Sequence, residues 1–140
     1  IKRMSEIGPT KSEIDSLMWL KSQNHLGNVL SEYEYGDFIN SVSGFEVLTN
    51  NKYQRTSKDQ IKIYETNLIF QSRKLSEIIS FFEKEKISYI WINQYMRNGQ
   101  VWSNSEQGIL LVLRTSNYFS KVYDHENVQI WAYENPNIYE

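Results

Sequence analysis

Hydrophobic residues near the start of the chain recur at helical spacing between Ile14 and Leu20. They follow the polar segment Thr10–Glu13, which has the form of a capping box. We therefore predict a first helix over residues 11–23. The short segment 28–32, flanked by residues typical of turns, is predicted to be a strand.

The next hydrophobic positions predict a second helix and a second strand. Residues 37–42 are long enough for a short helix that Gly44 would end, and residues 45–49 then alternate as a strand does. Segment 57–60 is a second capping-box pattern, which favours a helix over residues 57–68. Alternation within residues 61–63 leaves a strand open there.

The second half of the chain repeats the alternation of helix and strand and then changes to hairpin spacing. Residues 75–82 fit an amphipathic helix, and the short β-branched and aromatic run 89–92 fits a buried strand. Residues 93–105 form a polar loop, and 109–113 fit a helix or a strand. Two strands joined by a turn are predicted at residues 119–123 and 128–133.

These elements predict a layered α/β domain with a mostly parallel central sheet flanked by helices and closed by an antiparallel C-terminal hairpin. At 140 residues with 40% hydrophobic content, the chain has the size of one domain, covering residues 1–140. Its longest apolar run, Ile109–Leu113, is far shorter than the ~20 residues that cross a bilayer. We expect a soluble domain, and the start at Ile1 suggests excision from a longer membrane protein.

Charge and composition exclude several classes of function. Fifteen basic and 17 acidic residues give a net charge of −2, which disfavours nucleic-acid binding. The absence of cysteine excludes thiolate zinc sites and cysteine nucleophiles. His25 and His125 lie in predicted turns without a second ligand at metal-site spacing, and no glycine-rich phosphate loop is present. We expect no cofactor and no metal site.

The segment Glu32–Asp37 carries the most unusual local sequence, with three carboxylates and two phenols where a predicted strand meets a predicted helix. Ligands bind outside the carboxyl ends of strands in open α/β sheets. Carboxylates are also favoured near helix N-termini for structural reasons alone. Glu32 and Glu34, two apart on an extended segment, would point the same way and could form an acid–base pair. The candidate binding residues here are Tyr33, Glu34, Tyr35 and Asp37.

Trp102 is the remaining candidate for ligand binding, because it lies in the polar loop beside Tyr95. The other three tryptophans fall on predicted helix or strand faces, where an aromatic side chain more often belongs to the core.

The order of landmarks resembles the soluble domains of GT-C class membrane glycosyltransferases and of oligosaccharyltransferase catalytic subunits. The resemblance rests on the helix 14–24, on Tyr33–Ile39, on Val47–Asn51 and on the closing hairpin. In oligosaccharyltransferases the corresponding segment carries WWDYG, which helps to bind the acceptor peptide. The matching stretch Glu32–Gly36 retains the Tyr-Gly pair and has a longer acid in place of the aspartate.

This resemblance implies a non-catalytic domain on the extracytoplasmic face of the cell membrane. Its partners would be the membrane-embedded part of the same chain, which supplies the catalytic carboxylates, and a glycan or peptide acceptor. Two alternatives stay open. The chain could be a stand-alone carbohydrate- or peptide-binding module that uses Tyr33, Tyr35 and Trp102, or a small hydrolase built on Glu32 and Glu34.

Overall fold

The computed structural model describes residues 8–24, 26–50 and 56–136. His25 and Asn51, the last residue of the segment Val47–Asn51, lie outside the described residues. The helices of the described part are α1 (Lys11–Lys21), α2 (Gly36–Ser43), α3 (Ser57–Phe70), α4 (Leu75–Lys84) and α5 (Ile109–Thr115). The strands are β1 (Asn28–Leu30), β2 (Ile87–Ile92), β3 (Phe119–His125) and β4 (Val128–Tyr133).

The strands form a mixed sheet in the order β1-β2-β4-β3. β1 and β2 run parallel, with Leu30 opposite Ile90, whereas β4 runs antiparallel to both β2 and β3. The predicted α/β class and the C-terminal hairpin are confirmed. The prediction of a mostly parallel sheet is wrong, because the second strand of the hairpin inserts beside β2 and makes two of the three strand pairs antiparallel.

The predicted strand at residues 45–49 is reduced to one parallel bridge between Val29 and Val47. The amide of Val29 donates to the Glu46 carbonyl, and the amide of Leu48 donates to the Val29 carbonyl. Ladder pairing stops there, and Thr49 instead packs against the start of α2.

Both segments with an open assignment are helical. α3 begins with a reciprocal capping box between Thr56 and Asp59, one residue earlier than the sequence pattern indicated. The apolar positions that favoured this helix, Ile61, Tyr64 and Leu68, are 58%, 64% and 54% exposed. α5 begins after Gly108 and carries the 109–113 run into the core.

Helices cover both faces of the sheet. The buried Trp91 of β2 faces α1, where its indole nitrogen donates to the Ser16 hydroxyl at 2.9 Å. Side chains alternate along a strand, so Ile90 and its partner Trp131 face the other way. Tyr133, two residues further along β4, contacts Phe82 of α4 on that second face. The core is therefore a sheet between two helical layers.

The hairpin between β3 and β4 turns at Glu126 and Asn127, whose φ angles are 53° and 69°. Positive φ at both central residues is the requirement of the tight turn that matches strand twist. The predicted turn between the two C-terminal strands, over residues 124–127, is confirmed.

Candidate functional site at the carboxyl end of β1

The chain turns sharply where β1 ends. Ser31 is buried, and its hydroxyl donates to the Trp91 carbonyl at 2.8 Å, which ties the end of β1 to β2. Tyr33–Tyr35 then form one turn of 3-10 helix, and Gly36 opens α2. The segment predicted to bind a ligand thus lies at the carboxyl end of the parallel strand pair, where open α/β sheets place their ligands.

The four candidate residues of this segment differ in exposure. Tyr33, Glu34 and Asp37 are half-buried, whereas Tyr35 is 1% exposed. The Tyr35 ring packs edge-on against Trp91, with 5.7 Å between ring centroids. The structure therefore makes Tyr35 an anchor of the turn, while Tyr33, Glu34 and Asp37 are partly exposed.

The Tyr35 hydroxyl is held by a neighbouring loop. It donates to the Gln100 side-chain oxygen at 2.6 Å, and the Gln100 amide lies 3.3 Å from the Glu34 carboxylate. Burial raises the pKa of the Tyr35 phenol, and side-chain hydrogen bonds with Asn93 and Gln100 oppose that shift. The phenol is therefore a neutral donor at physiological pH, and Gln100 fixes both members of the Glu34–Tyr35 pair.

Glu32 and Glu34 do not lie on an extended segment, so the prediction that they point the same way is wrong. Glu32 is the extended residue that precedes the 3-10 turn, and Glu34 is inside it. Because the chain changes from extended to helical between these two residues, the alternation of an extended segment does not apply to them. This geometry gives no support to an acid–base pair.

Gly36 allows the turn to pack directly on the segment that follows α2. A β-carbon at this position would lie 2.1 Å from the Thr49 carbonyl oxygen and 2.8 Å from the Asn50 β-carbon. Backbone contact this close requires glycine, although its φ of −57° is ordinary. The Tyr33–Asp37 turn and residues 48–50 therefore form one continuous surface.

That surface continues into a small cleft of about 50 Å³ at the start of α3. Asp59, Lys62 and Ile63 line it from the helix, and residues 48–50 line it from the loop. Lys62 forms an ion pair with Glu85, at the end of α4, and Asp59 belongs to the α3 capping box. The cleft combines a carboxylate, an ammonium and an amide beside the turn.

Asp59, Lys62, Asn50 and Gln100 did not emerge from the sequence as site residues. The only signal at Asp59 was the capping-box pattern, which indicates where a helix starts and says nothing of what faces it. Gln100 lies 65 residues from Tyr35 along the chain, so no local pattern connects them.

Trp102 is a core residue rather than a surface platform. It is 0% exposed, its indole nitrogen donates to the Phe70 carbonyl at 2.9 Å, and its ring packs edge-on against the Phe70 ring. The chain folds back after the wide turn Met96–Gln100, where the Trp102 amide donates to the Met96 carbonyl. The prediction of Trp102 as a ligand-binding residue, which followed from the polar composition of residues 93–105, is therefore wrong.

Over residues 8–24, 26–50 and 56–136, no group of three His, Asp or Glu side chains has the arrangement of a metal site. Within the same ranges, no helix combines the length and apolar character that a membrane span requires.

Solved structures with this fold define its class. The chain matches the C-terminal globular domain of an oligosaccharyltransferase from Archaeoglobus fulgidus, with a TM-score of 0.70 and 17% identity over 90% of this chain and 99% of that domain. A second structure of such a domain from the same organism gives a TM-score of 0.63 and 18% identity, with 91% and 99% covered. The chain thus has the fold of this domain, and the resemblance inferred from the sequence landmarks is confirmed at the level of fold.

The comparison extends to a longer enzyme. An Archaeoglobus fulgidus oligosaccharyltransferase tethered to an acceptor peptide containing the NVT sequon matches 64% of this chain, with a TM-score of 0.51 and 15% identity. This chain spans 14% of that protein. No family model matches the sequence.

One relative appears by sequence. A RING finger protein of Plasmodium falciparum is 31% identical over 96 residues, which is 67% of this chain but 7% of that protein. This chain therefore spans only a small part of the length of that relative.

Proposed function

We propose that the chain is a non-catalytic accessory domain of a membrane glycosyltransferase of the oligosaccharyltransferase type and that it positions the acceptor on the extracytoplasmic side. The observation that carries this proposal is the continuous surface formed by the Tyr33–Asp37 turn, residues 48–50 and the start of α3. It lies at the carboxyl end of β1, in a domain whose fold is that of oligosaccharyltransferase C-terminal domains.

The geometry of this surface suits a short polar peptide. Glu34 and Asp37 supply acceptors for backbone amides, and Tyr33 supplies an aromatic edge. The adjoining cleft of about 50 Å³ admits one small group, such as a hydroxyl or a methyl, between Asn50 and Asp59. A surface with one small cleft selects a short side chain and leaves the rest of the peptide in solvent.

The proposal assigns the chemical step to another part of a longer chain. This assignment is supported by the match to a longer enzyme, of which this chain spans 14%. In this arrangement the domain contributes orientation, which lowers the entropic cost of bringing the acceptor to the reacting group. The alternative of a stand-alone sugar-binding module loses its aromatic platform with the burial of Trp102.

Disulfide tethering tests the proposal directly, because the chain has no cysteine and an engineered one is unique. A peptide containing Asn-Val-Thr and a terminal cysteine is coupled to Glu32→Cys, with Glu77→Cys on α4 as the matched control. Amide NMR shifts are compared with those of an Asn-Val-Ala peptide. We expect peptide-dependent shifts at residues 33–37, 48–50 and 59–63 from the Glu32→Cys conjugate and larger ones for threonine than for alanine.

The untethered peptide provides the second arm. Glu34→Gln should weaken its binding by roughly tenfold, the equivalent of one lost charge-assisted hydrogen bond, whereas Glu77→Gln should leave it unchanged. Identical shifts for the threonine and alanine peptides, or shifts confined to α4, would overturn the assignment of this surface to the acceptor.

A further inference from the structure

A second cleft, of about 380 Å³, opens on the other side of the wide turn Met96–Gln100. The turn and residues 103–105 form one wall, α5 forms another, and the outer face of the β3–β4 hairpin forms the floor. Small-molecule sites commonly begin at about 300 Å³. The cleft is therefore large enough for a monosaccharide-sized ligand.

Cations surround this cleft. Arg97, Arg114 and Lys121 line it from three separate elements, and no carboxylate is among the described residues that line it. The protein as a whole carries a net charge of −2, so this concentration of positive charge is local. A cleft lined by one sign of charge attracts ligands of the opposite sign.

The partners of these cations leave them available to a ligand. Arg114 meets Glu106 at 3.3 Å and Lys121 meets Asp124 at 2.7 Å, and all four side chains are at least 38% exposed. Exposed ion pairs contribute little to stability and exchange easily for another anion.

Arg97 is held more firmly, and one of its donors is unused. A terminal nitrogen of its guanidinium donates to the Asn127 carbonyl at 2.7 Å, which fixes the side chain between the turn and the hairpin. Its Nε is buried and has no hydrogen-bond partner among the described residues. A buried donor without a partner costs free energy, so the protein leaves this guanidinium incompletely satisfied.

The rest of the lining is polar and uncharged, with one aromatic. Asn98, Asn104 and Gln129 bring side-chain amides, which both donate to and accept from hydroxyl groups. Trp131 lies on the floor opposite Lys121 in the β3–β4 pairing, with the Lys121 ammonium 5.7 Å from the ring centre. Cations, amides and an indole together suit a ligand with an anionic group and several hydroxyls.

We propose that this cleft binds an anionic saccharide, either a sugar phosphate or a uronic acid. The phosphate or carboxylate is held by Arg97, Arg114 and Lys121, and the sugar hydroxyls contact the amides beside Trp131. The site shares no lining residue with the acceptor surface. It therefore stands or fails independently of the function proposed above.

Titration of the ¹⁵N-labelled chain tests this site with four probes at equal ionic strength. Glucose 1-phosphate and glucuronate carry the anion on a sugar, glucose carries no charge, and inorganic phosphate carries no sugar. We expect saturable amide shifts at residues 97–105 and 129–131 for at least one anionic sugar and none for glucose. The anionic sugar that binds more tightly shows whether the site prefers a phosphate or a carboxylate.

Paired variants separate a built site from general attraction. The double variant Arg114→Gln/Lys121→Gln removes two cations of the cleft, and Lys58→Gln/Lys74→Gln removes two cations outside it. Each lost charge-assisted contact is expected to weaken binding by about tenfold, so the first pair should bind roughly a hundredfold more weakly and the second pair unchanged. Urea denaturation of each variant checks that its fold is retained.

Several results would overturn the inference. If both double variants bound the anionic sugar equally weakly, the attraction would be to net charge alone. Inorganic phosphate binding as tightly as glucose 1-phosphate would remove the saccharide from the assignment. The absence of saturable shifts with either anionic sugar would remove the site.

Discussion

Gly36→Ala gives the sharpest test of how the candidate acceptor surface is built. Gly36 is the first residue of α2, and its backbone is already helical, with φ −57° and ψ −48°. On backbone preference alone, alanine would stabilise the helix by up to about 1 kcal/mol. The substitution therefore sets helix propensity against close packing at a single methyl group.

The packing cost follows from the contact distances. The alanine methyl would lie 2.1 Å from the Thr49 carbonyl oxygen and 2.9 Å from the Asn50 α-carbon. Attractive contact begins near ~3.5 Å, so the Thr49 backbone must move by more than about 1 Å. Overpacking against an immobile neighbour costs about 1–3 kcal/mol, and a contact as short as 2.1 Å places Gly36 near the upper end of that range. Subtracting a gain in helix propensity of up to about 1 kcal/mol leaves a net destabilisation of about 2 kcal/mol.

Urea denaturation measures this free energy, with Ser41→Ala as the control. Ser41 is an exposed position of the same helix, so alanine there should be neutral or slightly stabilising. NMR shifts in Gly36→Ala should change at Thr49 and Asn50 and spread to the small cleft, with weaker binding of the acceptor peptide. If Gly36→Ala were at least as stable as the native chain, with unchanged shifts at Thr49, the close packing described for this turn would be refuted.

Three further predictions concern the core. Glu13→Ala should cost about 2–3 kcal/mol in urea denaturation and Glu13→Gln less, because Glu13 is 3% exposed, completes the α1 capping box and accepts from Asn93 at 3.1 Å. Trp102→Phe should lower stability by about 1–3 kcal/mol by leaving the Phe70 carbonyl without its partner, and should not change peptide binding. Burial raises the pKa of several phenols above its usual value of 10.0, so the native state keeps protons that the unfolded chain releases. The free energy of unfolding should therefore keep its full value below about pH 10 and fall as the pH rises above it. These phenols are Tyr35, Tyr89, Tyr123 and Tyr133. A flat profile from pH 9 to 11 by urea denaturation would contradict that assignment.

The elements predicted from the sequence were those whose signal is local. The helix at 75–84 and the strand at 87–92 follow from side-chain periodicity and composition, which report on burial at each position. The predicted strand at 45–49 failed because pairing is not a local property. Alternation shows that a segment fits a strand, but the length of the ladder depends on where β1 and the start of α2 lie.

The sheet direction failed for a related reason. Nothing in residues 128–133 specifies whether this strand ends the sheet or inserts next to β2. The residues of β4 alternate in burial. A strand at the edge of the sheet and a strand inside it would both show this alternation. In the folded chain Tyr133 of this strand contacts Phe82 of α4, and such a contact between residues distant in the sequence leaves no local pattern.

The candidate site shows the same division between local and distant information. The Tyr33–Asp37 turn was predicted because its unusual composition falls at a strand end, a position that topology makes favourable for ligands. Its partner Gln100 lies on another element, and the fold alone brings it to the turn.

The wide turn Met96–Gln100 contacts both the Tyr33–Asp37 turn and the cleft lined by Arg97, Arg114 and Lys121. On one side Gln100 holds Tyr35 and Glu34, and on the other side Arg97 binds the Asn127 carbonyl and lines the cationic cleft. The turn is not a regular helix, since Asn98 has a ψ of 37° and Gly99 a φ of 116°. The same short segment therefore carries one residue of each surface, Gln100 for the Tyr33–Asp37 turn and Arg97 for the cleft.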